Sequence, residues 1–140
     1  MKKIVDYYEN KGRNKTDKVT KNCIRWSEQT FSAFDGETDK YLVEVKDNSE
    51  YTLQYGHLFV EVVKLKGLIN ACLQRGKHNF ILFHWFGERL FLITSNKIKQ
   101  LLKDGKIFVQ KITARANHFN QERKVKEVVL IPLEYCAVVK

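Results

Sequence analysis

Alternating and continuous apolar segments give the clearest pattern along the chain. Residues 40–46 alternate between apolar and other side chains, which is the period-two pattern of a β-strand. Residues 79–85 and 89–94 are apolar and β-branched or aromatic, and they flank a Phe-Gly-Glu turn at 86–88. This arrangement predicts a β-hairpin.

A helical period follows the alternating strand. Over residues 54–73 the apolar positions recur at spacings of three and four, which predicts one helix with a single buried stripe, ended by Gly76. The stripe consists of Leu58, Val62, Leu65, Ile69 and Cys72. Shorter helices are predicted over residues 2–10, stopped at 11–14, and over 95–102, begun by Ser95 and stopped at Asp104-Gly105.

The remaining segments complete an alternating order of helices and strands. We expect extended structure at 19–26, 30–34, 107–112 and 127–139, a turn at 35–39 and an exposed basic loop at 114–126. Pro132 breaks the last strand. The order predicts an α/β fold, with a central mixed β-sheet flanked by helices, in a single domain over residues 1–140.

Composition restricts the class of protein. The apolar segments are too short to cross a membrane and no signal peptide begins the chain, so we expect a cytoplasmic protein that contacts no membrane. Three widely spaced cysteines form neither a disulfide framework nor a zinc motif. The net charge of +9 favours a polyanionic partner.

The charge is distributed unevenly along the chain. Residues 1–27 carry a net +5, residues 28–96 a net −2 and residues 97–140 a net +6. A basic protein with carboxylates in its middle could hold a divalent cation there while its ends contact phosphates. The alternative is a soluble domain whose faces are unevenly charged.

The candidate chemistry lies at the end of the alternating strand. Glu44 and Lys46 project from one face, and Asp35 joins them if residues 30–46 form a hairpin. Two carboxylates with the Val45 carbonyl and waters suit Mg²⁺ or Mn²⁺. The acidic-x-Lys triplet occurs four times in the chain, so the triplet alone does not indicate a site. The one at 44–46 is singled out because it ends the apolar strand that follows Asp35. The alternative is a solvated strand face.

The predicted helix that follows adds a polar stripe. The stripe residues are spaced by three, four and three. They are Gln54, His57, Glu61 and Lys64. If this helix packs behind the strand, Gln54, Glu61 and Lys64 would border the metal site or contact phosphate; otherwise they form an exposed stripe.

These residues together resemble the PD-(D/E)XK nuclease superfamily, in particular its small phage and mobile-element members. The match is Phe34-Asp35-Gly36, then Glu44-Val45-Lys46 beginning eight positions after Gly36, and a following helix. The resemblance implies a restriction-endonuclease-like αβββαβ core. It also implies that Asp35 and Glu44 bind the metal and that Lys46 orients the attacking water.

The function implied by the resemblance is metal-dependent hydrolysis of DNA phosphodiester bonds, with RNA as an alternative substrate. Two groups of basic residues are expected to hold the nucleic-acid backbone. They are Lys11, Arg13, Lys15, Lys18 and Lys21 near the start, and Arg115, Arg123 and Lys124 near the end. A non-catalytic nucleic-acid-binding or phage regulatory protein on the same fold, a protein-binding accessory factor and a homodimer all stay open.

Overall fold

The computed structural model describes residues 2–28, 33–115 and 123–139. Its elements follow in this order. They are α1 (Lys2–Thr20), β1 (Arg25–Trp26), β2 (Gly36–Glu37), β3 (Tyr41–Asn48), a 3₁₀-helix (Glu50–Tyr55), β4 (His57–Glu61), α2 (Val62–Arg75), β5 (Asn79–Phe86), β6 (Arg89–Thr94), α3 (Ser95–Lys103), β7 (Val109–Arg115), β8 (Arg123–Pro132), a second 3₁₀-helix (Leu133–Tyr135) and β9 (Ala137–Val139).

A six-stranded mixed sheet forms the centre of the molecule, in the order β1-β2-β3-β5-β6-β9. Strands β3 and β5 are parallel, and every other pair in this sheet is antiparallel. A second sheet of order β4-β8-β7 is antiparallel throughout. The predicted α/β fold with a mixed sheet flanked by helices is therefore confirmed, and the second sheet is an addition to it.

Two apolar clusters cover the two faces of the central sheet. On one face the sheet packs against α2, α3 and the second sheet through residues such as Leu42, Leu82 and Ile131, all almost fully buried. On the other face Val43 and Trp85 belong to a smaller cluster near α1. Burial on both faces explains why the sequence of β5 is a nearly continuous apolar run.

The first helix is longer than the sequence predicted. We expected Gly12 to end it, but α1 continues to Thr20 and ends where Lys21 and Asn22 adopt positive φ angles. A Cβ on Gly12 would lie 3.0 Å from Val45 Cγ1, so this glycine lets α1 approach β3 closely. The extended segment expected at 19–26 is reduced to the two residues of β1.

The single helix expected over residues 54–73 is wrong over its first eight residues, 54–61. Gly56 has a φ of 74°, and β4 follows it with Leu58 and Val60 buried and His57, Phe59 and Glu61 half-buried. The position of Leu58 fits both the alternation of a strand and the three-four spacing of a helix, so the sequence pattern did not distinguish a strand from a helix here. In α2, Leu68 is buried whereas Ile69, expected in the stripe, is 53% exposed.

The end of the chain contains more strand than predicted. Of the loop expected over 114–126, the flanking residues 114–115 and 123–126 belong to β7 and β8, and residues 116–122 lie outside the described part. The final strand ends at Pro132 and resumes as β9. Of the strand expected at 30–34, residues 30–32 are also outside the description, and the turn expected at 35–39 contains β2.

The other predictions of local structure are confirmed. The alternating strand is β3, the hairpin is β5 and β6, and the third helix is α3, whose Thr94 side chain caps it in place of Ser95. None of the described helices is both long and apolar enough to span a bilayer.

Candidate functional site

Asp35 lies just before β2 and is attached to β3 through both its backbone and its side chain. Its amide donates to the Val43 carbonyl at 2.9 Å, and its carboxylate Oδ2 accepts a hydrogen bond of 2.7 Å from the Val45 amide. Only glycine fits at the next position, because a Cβ on Gly36 would lie 2.7 Å from Ile24 Cγ2. This packing holds Asp35 beside the middle of β3.

Glu44 is the buried carboxylate of β3, with 8% of its surface exposed. The Lys64 ammonium, from the first turn of α2, lies 2.5 Å from Glu44 Oε2. In register, Glu44 lies next to the buried Leu82 of β5, so its carboxylate lies in largely apolar surroundings. A charge in such surroundings needs a partner, and Lys64 supplies it.

Asp35 shares the positive charge of Lys64. Burial raises the pKa of Asp35; the Val45 hydrogen bond and the charges of Lys64 and Arg13 oppose this rise without cancelling it. The nearest guanidinium nitrogen of Arg13 lies 3.8 Å from Asp35 Oδ1. Asp35 is therefore held against Val43 and Val45, the residues on either side of Glu44, and the Lys64 ammonium that pairs with Glu44 also acts on Asp35.

Lys46 projects from the same face of β3 but contacts a different set of residues. Its ammonium lies 5.7 Å from the centre of the Phe59 ring. Burial lowers the pKa of Lys46; Glu61 opposes this change and Lys126 adds to it. Glu61 in turn accepts a hydrogen bond of 2.7 Å from Lys126 Nζ. Lys46 thus lies between the central sheet and the second sheet, next to an acid–base pair.

A buried histidine lies beside Lys46 in the parallel strand pair. His84 is opposite Lys46 in register and is 4% exposed. Burial lowers the pKa of His84 to about 3, and the Lys46 ammonium contributes further. The neutral imidazole Nδ1 lies 3.3 Å from the Asn48 amide nitrogen. His84 is therefore an interior residue whose ring nitrogen has a hydrogen-bonding partner.

The carboxylates suit a weakly held divalent cation. Within residues 2–28, 33–115 and 123–139, no group of three or more His, Cys, Asp or Glu side chains is placed to hold a metal. Mg²⁺ commonly binds one or two carboxylates, keeps several waters and takes further oxygens from a phosphate. The N–H and C=O of a strand residue point to the same edge, so the Val45 carbonyl faces the edge where Asp35 lies.

The polar stripe expected behind β3 does not exist as a helical face. Gln54 is exposed in the first 3₁₀-helix, Glu61 ends β4 and Lys64 lies in α2. The change from strand to helix at Val62 separates the two charged residues. Lys64 reaches Glu44, whereas Glu61 reaches Lys126.

The basic residues of the first helix divide into two kinds. Arg13 contacts Asp35, the Ser27 carbonyl and the Trp26 ring, and Lys15 contacts Asp47 and the Gly87 carbonyl. These two residues are half-buried and hold α1 on the protein. Lys11 and Lys18 of α1, and Lys21 just after it, are exposed.

The basic residues near the end of the chain lie on a hairpin. Arg115 is opposite Arg123 in the β7–β8 register, and Lys124 is exposed next to them. The sequence reasoning missed two contributors to the site: Lys126, and Arg13 as a neighbour of Asp35. The spacing of Lys124 and Lys126 on one strand face was the available indication for Lys126.

Comparisons with known proteins add little to this description. No protein-family model matches the chain, and no curated protein matches it. Among solved structures, a nuclease from a fusselovirus is similar over 81% of this chain and 67% of its own, with a TM-score of 0.42 and 16% sequence identity. At these values the similarity assigns neither a family nor an activity to this chain.

Proposed function

We propose that this protein is a divalent-metal-dependent nuclease that hydrolyses DNA phosphodiester bonds. The observation that supports the proposal most directly is that Asp35 is hydrogen-bonded to the residues on either side of Glu44, whose carboxylate pairs with Lys64. Asp35 and Glu44 supply the oxygen atoms that a divalent cation binds, and the protein's net charge of +9 suits a polyanion. The arrangement agrees with the PD-(D/E)XK resemblance of the sequence.

In this proposal each charged group has a distinct role. Asp35, Glu44 and the Val45 carbonyl would hold Mg²⁺ or Mn²⁺, and Lys64, released from Glu44, would contact the phosphate. A bound cation of this kind polarises a phosphoryl oxygen and lowers the pKa of a coordinated water. Lys46 orients the attacking water and stabilises charge on the phosphate.

Basic residues on two elements supply affinity for the nucleic-acid backbone. Lys11, Lys18 and Lys21 lie on or just after α1, and Arg115, Arg123 and Lys124 lie on the β7–β8 hairpin. Contacts of this kind carry affinity but little sequence preference. Arg13 and Lys15, which face the protein, contribute by positioning α1.

The test is a cleavage assay on labelled linear duplex, single-stranded and four-way-junction DNA, each with Mg²⁺, Mn²⁺ or EDTA. We expect cleavage with metal, none with EDTA, and none from Glu44→Gln or Asp35→Asn. Lys46→Met should lose most of the activity while binding DNA normally. Glu88→Gln, an exposed carboxylate on the β5–β6 turn, is the matched control. Full cleavage by purified Glu44→Gln would contradict the proposal.

A non-catalytic nucleic-acid-binding protein is the second candidate, and the Glu44–Lys64 pair is the observation that favours it. An ammonium 2.5 Å from the carboxylate already neutralises Glu44 without a metal. DNA binding with a steep salt dependence, no cleavage in any metal and no stabilisation by Mn²⁺ would select this candidate.

A further inference from the structure

The hairpin of β7 and β8 extends beyond the rest of its sheet. β4 pairs with β8 only from Val128 to Pro132, with Glu61 opposite Val128. β7 continues to pair with β8 through Lys111 opposite Glu127 as far as Arg115 opposite Arg123. Among the described strands, the segments 111–115 and 123–127 thus form a two-stranded ribbon, about 17 Å long at 3.4 Å per residue.

The ribbon carries a strong positive charge. Its basic residues are Lys111, Arg115, Arg123, Lys124 and Lys126, and its acidic residue is Glu127. Lys111 and Lys124 are exposed, and Val125 between the lysines of β8 is 67% exposed. An exposed ribbon with this charge suits a polyanion rather than an apolar partner.

One face of the ribbon leads back to the candidate site. Partners in register share a face, and alternate residues of a strand do as well, so Lys124, Lys126 and Val128 lie on the same side as Glu61. Lys126 contacts Glu61 there, and the Lys46 ammonium lies against the next residue of that face, Phe59. Positive groups therefore run from Lys46 through Lys126 to Lys124.

The form of the ribbon favours double-stranded nucleic acid. The major groove of B-DNA admits a two-stranded β-ribbon. Proteins that bind single strands instead rely on exposed aromatic rings on which bases stack, and the described ribbon residues, 111–115 and 123–127, include no aromatic side chain. Lys124 and Lys126 are about 7 Å apart along the strand, close to two base-pair steps of the duplex axis.

We infer that the β7–β8 ribbon is a duplex-binding arm that docks in the major groove, with Lys124 and Lys126 contacting phosphates of the strand that enters the site. The inference rests on the proposed function and adds the substrate class to it. The arm contacts the phosphate backbone of the DNA, and recognition of base sequence depends on other residues.

The test compares Lys124→Gln with Lys99→Gln, an exposed lysine of α3 whose loss removes the same charge elsewhere. Binding of duplex and single-stranded DNA of one sequence is measured in EDTA over a range of salt concentrations. For Lys124→Gln we expect duplex affinity to fall roughly tenfold near 0.1 M salt and the salt slope to fall by about 0.9. Lys99→Gln should bind as the wild type does, and both variants should keep the wild-type melting temperature.

A second variant, Lys124→Gln/Lys126→Gln, should lower duplex affinity and the salt slope further. Equal duplex binding by Lys124→Gln and Lys99→Gln would overturn the assignment of the arm, whereas metal-dependent cleavage lost in Glu44→Gln would still support the proposed nuclease. Tighter binding of single strands than of duplex by the wild type would overturn the substrate class. If the wild type neither bound nor cleaved DNA, both the proposed nuclease function and the assignment of the arm would be overturned.

Discussion

Replacing Lys64 by methionine tests how far the buried Glu44 depends on its cation. Methionine keeps the apolar stem of lysine and removes the ammonium. The Lys64 side chain is 41% exposed and the Glu44 side chain 11% exposed, so the pair lies between the exposed and buried extremes. Exposed pairs contribute 0.2–1 kcal/mol and breaking buried ones costs 3–5 kcal/mol, which places this loss at about 2 kcal/mol. For a chain of this size that is a fall in Tm of about 8 °C.

Thermal and urea denaturation in EDTA measure this loss. Lys66→Met, two residues further along the same helix and exposed, should change the stability by less than about 0.5 kcal/mol. The double variant Lys64→Met/Glu44→Gln should be more stable than Lys64→Met, because the uncompensated carboxylate is gone. Equal stability of Lys64→Met and Lys66→Met, or no recovery in the double variant, would refute the reasoning.

The Lys64→Met variant also tests whether a divalent cation can take the place of the Lys64 ammonium beside Glu44. With a Kd of about 1 mM, about 10 mM Mn²⁺ should stabilise the folded protein by about 1.4 kcal/mol. The increase should be larger in Lys64→Met than in the wild type, since no ammonium competes for Glu44. It should disappear when Glu44 is replaced by Gln; a rise that persists there would place the cation elsewhere.

Two pH-dependent predictions follow from burial. Because the folded-state pKa of His84 is about 3, its contribution to stability is present above the unfolded value of 6.5 and is lost as pH falls, by about 1.4 kcal/mol per pH unit. In urea titrations between pH 6.5 and 4.5, the stability of His84→Gln should therefore fall less steeply with pH than that of the wild type. Parallel slopes would contradict this. The pKa of Asp35 is raised, so the stability due to its protonated form is lost as pH rises. The urea midpoint of Asp35→Asn should therefore exceed that of the wild type by a larger margin near pH 7.5 than near pH 4.5. A larger margin near pH 4.5 would contradict this.

The elements that the sequence predicted well are those whose pattern is local. The alternation that predicts β3 and the apolar run with a glycine turn that predicts the β5–β6 hairpin both describe neighbouring residues. The side of β3 that carries Glu44 and Lys46 follows directly from that alternation. Placing Asp35 beside β3 required only the short β2–β3 pairing, which starts at Gly36.

The elements that failed depend on contacts distant in sequence. From the sequence alone Gly12 predicts the end of a helix, because its close approach to Val45, which explains the glycine, is visible only in the structure. β4 reads as helix because its two buried residues also fit a helical stripe, and only pairing with β8 selects the strand. β8 itself extends into a segment with no apolar period, where register with β7 decides the structure.

The misassigned strand β4 also explains how the charges of the site are arranged. On a continuous helix Glu61 and Lys64 would share a face and could pair with each other. The strand ends at Glu61 and the helix starts at Val62, so the two side chains diverge. The charged residues of β3 meet them in reverse chain order: Glu44 contacts Lys64, and Lys46 lies near Glu61. The Glu-x-Lys triplet is thus balanced by one charge from each element at the β4–α2 junction. A phosphate and a cation entering together would satisfy the same charges, so in the proposed function binding of substrate replaces these internal pairs.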